Sequence, residues 1–141
     1  MTVPPATVRC PRAVAERIRA SAQRALPHEA CGVLGGSRHD GLLVLTHWFE
    51  LSSEAPAADA FAVDPVAFAL AEARLRAEGT SWLGFAHSHP HDQAVPSARD
   101  LDQLWRNCLQ VVVGGAELRD MRAFWLHEAG AVALHWEESL P

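Results

Sequence analysis

Apolar residues recur along the chain at two different periods, and the switch between them divides it into elements. Between residues 11 and 26, Val14, Ile18, Ala22 and Ala25/Leu26 fall at helical spacing, while Arg12, Glu16, Arg19 and Arg24 take the other faces. This pattern predicts an amphipathic helix opened by Pro11 and ended by Pro27. Ahead of it, residues 1–6 read as a loose end and residues 7–10 as a short edge strand. Residues 30–35 form a compact apolar strand, 35–41 a turn, and 42–51 a longer strand, rich in aromatic and β-branched residues, that pairs antiparallel with its predecessor. Residues 52–60 are small and polar with no period, which reads as a loop. Asp64 as N-cap and Pro65 at the first helical position start a second helix whose core face is Val66, Leu70, Ala73 and Ala77, and Gly79 stops it. A strand follows at 81–87, then a helix at about 97–107 with Leu101, Leu104, Trp105 and Cys108 inward. Strands at 109–113, 121–127 and 132–136 complete the chain, separated by Gly114-Gly115 and by Glu128-Ala129-Gly130. Helices between strands, followed by a run of strands, predict an α/β fold with a mixed, partly antiparallel sheet flanked by three helices.

Composition narrows the class. At 141 residues the chain is expected to be one domain, 1–141, large enough for a full apolar core. The net charge of −5 comes with no cluster of basic residues, which disfavours nucleic acid as a partner. No run of about 18 apolar residues is present, so no membrane span is expected. The N-terminus lacks the charged and apolar regions of a secretory signal. Cys10, Cys31 and Cys108 are odd in number and unpatterned, which fits a reducing cytoplasm better than a disulfide framework. The absence of Cys-x-x-Cys disfavours a ribbon-type structural zinc.

The chemistry concentrates in residues 87–100. His87 and His89 are two apart at the end of an apolar strand, so both can point to one side. Pro90 then stops the strand, and Pro96-Ser97 looks like a helix entry with Ser97 as N-cap and Asp100 at the third position. Two imidazoles from a strand end and one carboxylate from a helix start make a three-ligand set, the stoichiometry of a catalytic zinc whose fourth position is left for water. Each half has a plainer reading. His-x-His is common, and Ser-x-x-Asp is also an ordinary capping box. His91 continues the alternation, but Pro90 turns the chain before it, so it reads as a loop histidine. Ser88 lies inside the stretch and is suited to hydrogen bonding around a site.

The spacing of His87, His89, Ser97 and Asp100 matches the signature His-x-His-x7-Ser-x2-Asp of the JAMM (MPN+) zinc-metalloprotease family without departure. The likeness extends further. Glu29-Ala30-Cys31-Gly32-Val33-Leu34-Gly35-Gly36 resembles the family's first-strand motif, Glu-x-Cys-Gly-x-Leu-x-Gly, and Phe61-Ala62-Val63-Asp64-Pro65 resembles the segment leading into its second helix. The resemblance implies an MPN-type, cytidine-deaminase-like architecture. It implies one zinc per chain on His87, His89 and Asp100, with Glu29 as general base and Ser97 as oxyanion donor. Without it, Glu29 reads as an exposed glutamate after a helix, and Ser97 as a cap.

The implied activity is cleavage after the C-terminal Gly-Gly tail of a ubiquitin-like or sulfur-carrier protein, the tail adding as a strand beside the metal site. Two departures bear on detail. Leu51-Ser52 stands where members often carry an asparagine, and the stretches 52–60 and 114–120 leave no room for the insertions of ubiquitin-chain-specific members. The chain therefore resembles a minimal prokaryotic-type member. The alternative is a non-catalytic MPN scaffold or interaction subunit, which keeps the fold and loses ligands; here the ligands, the serine and the glutamate are all present. A zinc base deaminase needs His-x-Glu and Pro-Cys-x-x-Cys, and neither occurs.

Overall fold

The computed structural model describes residues 3–51 and 63–140, except for the side chain of Gln103. The elements run β1 (Thr7–Pro11), α1 (Arg12–Ala25), β2 (Cys31–His39), β3 (Leu42–Leu51), α2 (Pro65–Ala77), β4 (Ser81–Ser88), α3 (Ala98–Gln103), β5 (Cys108–Gly114), a 3-10 turn (Ala116–Leu118), β6 (Asp120–His127) and β7 (Gly130–Ser139). The loop expected at 52–60 and the family-like residues Phe61 and Ala62 lie outside the described residues. No described helix is long and apolar enough to cross a membrane.

The sheet is mixed and carries three helices, as expected, but it closes on itself. Strand order is β1-β3-β2-β4-β5-β6-β7, and β1 returns to β7. β1 is parallel to both β3 and β7, so it is an interior strand and not the edge that the sequence suggests. Residues 5 and 6 are also tied down, with Pro5 buried and Ala6 N–H donating to the Gly41 carbonyl at 2.8 Å. β2 extends through most of the predicted turn and reverses at Asp40 and Gly41. Gly35 and Gly36 mark close packing there: a Cβ would fall 2.2 Å from the Leu75 side chain at the first and 1.9 Å from the Val44 carbonyl at the second.

β4 pairs antiparallel with β2 and parallel with β5. A parallel pair requires a crossover, and α3 supplies it. Both sides of β4 are thereby taken by strands of the same sheet.

Side chains alternate along β4 between two apolar clusters. Ala86 faces the larger one, with Val14, Ala15, Ile18 and Ala22 of α1. Phe85 faces the smaller one, with Ala71 and Leu75 of α2, Val33 and Cys108. The α2 core face differs from the predicted stripe. Val66 and Leu70 are 67% and 68% exposed, whereas Ala71 and Leu75 are buried and Phe68 packs partly against them. Phe68 decides the rotation, because its ring meets Trp82, Phe85 and Trp105 at centroid distances of 5.0 to 5.7 Å. α3 is shorter than predicted. It ends at Gln103, Trp105 is 43% exposed on the rim of that aromatic cluster, and Cys108 opens β5. Arg19, assigned by its spacing to an outer face of α1, is 8% exposed and pairs with Glu138 of β7.

Candidate metal centre

His87 is the seventh residue of β4, and His89 follows the strand's end, on the same side by strand alternation. Asp100 sits in the first turn of α3, which begins where the crossover returns. The short loop between them folds back on β5. Gly115 N–H donates to the Asp92 carbonyl at 2.8 Å, and His89 N–H to the Val113 carbonyl at 2.7 Å. Gly114 makes this approach possible, because a Cβ there would lie 2.7 Å from the Asp92 oxygen and the Gln93 carbonyl carbon.

The three predicted ligand residues converge. His87 Nε2 stands 3.1 Å from His89 Nε2, and Asp100 Oδ2 stands 3.1 Å from the first and 3.0 Å from the second. All three residues are buried. Ligand atoms on a tetrahedral zinc, at bond lengths of about 2.0–2.2 Å, lie about 3.3 Å apart, so the donor set fits a small cation with little adjustment. The His89 ring is oriented for it. Its Nδ1 lies 3.0 Å from the Gln93 carbonyl, which can only accept, so Nδ1 carries the proton and Nε2 turns a lone pair to the centre in the neutral ring.

Glu29 is a competing carboxylate. Glu29, His87 and His89 each present a ligand-capable atom within 4.8 Å of one another. Its Oε1 is 3.9 Å from His89 Nε2, however, against 3.0 Å for Asp100. The shorter set is the better cation site, and Glu29 stands one step outside it.

Electrostatics follow from burial and this close pairing. Burial holds His87 below its ordinary pKa against the upward pull of Asp100. Burial acts the same way on His89, but its hydrogen bonds with Asp100 and the Gln93 carbonyl win and raise it. Burial pushes the Asp100 carboxyl up, yet hydrogen bonds from both histidines and the Ser97 backbone hold it far below the carboxylate range. The site therefore keeps an anionic carboxylate among imidazoles, the charge pattern a divalent cation requires.

Ser97 and Asp100 also form a complete capping box. Ser97 N–H donates to Asp100 Oδ2 at 2.9 Å, and Asp100 N–H donates to Ser97 Oγ at 3.1 Å. Because Oγ only accepts in this bond, its own proton stays available for another partner. Ser97 lines an open cleft of about 430 Å3 together with Pro27, Glu29, His89, Pro90, His91 and Arg99. His91 is exposed at that cleft.

Glu29 is 7% exposed, not the solvated glutamate of its plainer reading. Two bonds fix the segment beside it: Ala30 N–H donates to Ser88 Oγ at 2.8 Å, and Ser88 N–H donates to the Ala30 carbonyl at 3.0 Å. The sequence singles out Ser88, though not its partner. The Gln93 carbonyl and the Gly114 seat carry no recognisable signal in it.

The mixed sheet with its three helices has the fold of solved JAB/MPN structures. The chain belongs to that family: residues 11–127 match the family described as prokaryotic homologs of the JAB domain. It is 35% identical over 126 residues to a protein of Thermus thermophilus named as a probable TtuB-protein conjugate cleaving protease, covering 88% of this chain and 79% of that one. The solution structure of a protein from Desulfitobacterium hafniense is similar with a TM-score of 0.84 and 28% identity over 94% of both chains. A JAMM protein, described as a metalloprotease-like zinc site in the proteasome and signalosome, shares the fold with a TM-score of 0.54 and 18% identity, over 96% of this chain and 100% of that one.

Proposed function

We propose that this chain is a zinc-dependent peptidase or isopeptidase that cleaves after the C-terminal Gly-Gly of a ubiquitin-like or sulfur-carrier protein. One observation carries the reading: His87 Nε2, His89 Nε2 and Asp100 Oδ2 meet within 3.0–3.1 Å, and the Glu29 carboxylate stands 3.9 Å from that cluster, in one cleft. The similarity to a conjugate-cleaving protease supports the substrate class.

His87, His89 and Asp100 would hold the metal. When bound, zinc supplies Lewis acidity and lowers the pKa of water to about 7. Glu29 takes a proton from the attacking water on its carboxylate and returns it to the leaving amine. Ser97 donates its hydroxyl proton to the substrate carbonyl oxygen as charge develops there. Asp100 N–H keeps Ser97 Oγ in place through one of its lone pairs, so the single hydroxyl proton remains for donation.

Side chains next to the scissile bond would meet the buried walls of Glu29 and His89, which favours glycine there. Zinc-loaded protein is incubated with carrier proteins extended beyond Gly-Gly, and the cut is located by mass spectrometry. The expected product ends in Gly-Gly, and replacing the last glycine by valine slows cleavage by about tenfold or more. Equal rates on both carriers, or cleavage only of unfolded general substrates, would overturn the reading.

A further inference from the structure

We infer that a second groove, beside the catalytic cleft, holds the polypeptide on the leaving side of the scissile bond: the stretch of a target protein that flanks its conjugated lysine. The inference rests on the reading of the chain as a conjugate-cleaving hydrolase and extends it to the other half of the substrate.

The groove encloses about 400 Å3 and is lined by Gln23, Leu26, Pro90, Gly115, Glu117 and Leu118. Pro90 also lines the catalytic cleft, as does Pro27, the residue after Leu26, so the two spaces meet across a shared wall. One wall has an unusual backbone. Glu117 and Leu118 have φ of 56° and 55°, and Gly115 has φ of 73°. Consecutive non-glycine residues in the left-handed region are disfavoured and persist only where the surroundings hold them. Here α1 does so: Gln23 Nε2 donates to the Glu117 carbonyl at 3.0 Å, and Arg19 Nε to the Arg119 carbonyl at 3.0 Å. A turn kept in a costly conformation by side chains of another element, beside a reactive cleft, is the kind of outlier that marks a binding surface.

Orientation follows from the chemistry. The groove continues the side of the cleft built by Pro27 and Glu29 at the end of α1, whereas Ser97 and Arg99 of the α3 side contribute nothing to it. In hydrolysis the water oxygen forms the new C–O bond, the C–N bond breaks, and the proton carried by Glu29 goes to the departing amine. The amine, and the chain it belongs to, therefore leaves along the Glu29 side. The groove offers that chain an apolar contact at Leu26, which is 47% exposed, an amide at Gln23 and an exposed carboxylate at Glu117. Those groups suit an extended segment with apolar and basic residues around the lysine.

The test uses the zinc-loaded protein and two conjugates of one Gly-Gly carrier. In the first the carrier is joined to the ε-amine of a blocked single lysine; in the second the lysine lies within an extended peptide with apolar and basic neighbours. Wild type is expected to cleave the peptide conjugate with kcat/KM about tenfold higher, expressed in KM, as one apolar pocket contact is worth. Leu26→Glu and Glu117→Arg should each bring the ratio of the two substrates towards one, with metal content and melting temperature held. A wild-type ratio of one overturns the inference, and so do variants that depress both substrates alike. Variants whose effect tracks the length of the carrier's tail and not the peptide on the lysine overturn it too. If wild type cleaves neither conjugate, the hydrolase reading itself fails, and the inference with it.

Discussion

Asp100 and Ser97 each have a role in the fold and a role in the site, so single substitutions there are informative only when two quantities are read together. Asp100 Oδ2 accepts the Ser97 N–H and also faces both imidazoles, so the helix cap and the cation site share one oxygen. His89 takes no part in the helix cap, and His89→Ala should drop bound zinc from about one equivalent to well below it after desalting. Glu29→Gln keeps shape and stands outside the closest donor set, so it should retain the metal and lose most hydrolysis. Wild-type turnover in Glu29→Gln would remove the base from the mechanism, and loss of its metal would make Glu29 a ligand. Ser97→Ala should lower stability by about 0.5–2 kcal/mol as a lost cap. If Ser97 also donates to the developing oxyanion, the rate per folded molecule falls by about 10²–10³ as well. A lower melting temperature with unchanged turnover would leave it a cap only.

At the scale of elements, the site depends on how the end of β4, the loop after it and the end of β5 are pressed together. Gly114 is the contact point, with the Asp92 and Gln93 backbone where its Cβ would be. Gly114→Ala should cost about 1–3 kcal/mol by overpacking. It should also weaken zinc binding about 10–100-fold, because Gln93 supplies the carbonyl that orients His89. Equal zinc affinity, by competition with a chelator, would show that the loop can shift without disturbing the ring. The convergence of His87, His89 and Asp100, with Ser97 beside them, is legible in the sequence, since all four are joined by local spacing. Glu29 is legible only through the family motif, because its place depends on Ser88 clamping Ala30 across two strands. The face of α2 is ambiguous in the sequence because that helix carries two apolar stripes. Val66 and Leu70 make one, Phe68, Ala71 and Leu75 the other, and only the tertiary aromatic cluster chooses between them. β1 reads as an edge because its partner β7 lies at the far end of the chain. The positive-φ pair Glu117 and Leu118 has no compositional mark.

Across the whole molecule, α1 is the part that joins the site to the closure of the sheet. Its C-terminal end leads to Pro27 and Glu29, and its middle is fastened to the opposite end of the chain by an ion-pair network. Arg19 donates to Glu16 at 2.9 Å, to the Arg119 carbonyl at 3.0 Å and to Glu138, while Arg119 also reaches Glu16 and Trp136 Nε1 donates to Glu138 at 3.2 Å. Arg19 and Glu138 are mostly buried side chains, so losing one partner leaves the other charge poorly solvated. Burial raises the Glu138 carboxyl, but hydrogen bonds from Arg19 and Trp136 outweigh it and lower its pKa. A carboxyl whose folded pKa is depressed contributes stability above its unfolded pKa, and that contribution is lost as pH falls through the folded value. Glu138→Gln should therefore destabilise the protein at neutral pH by about 1.5–3 kcal/mol, the range for a hydrogen bond to a charged group. It should also flatten the decline of melting temperature on acidification, because the wild type loses this contribution in the acid range and the variant has none to lose. Melting curves of both proteins between neutral pH and the acid side of the carboxylate range measure this directly. Parallel curves with a constant offset would mean that Glu138 acts by packing and hydrogen bonding alone and that its charge does not stabilise the closure.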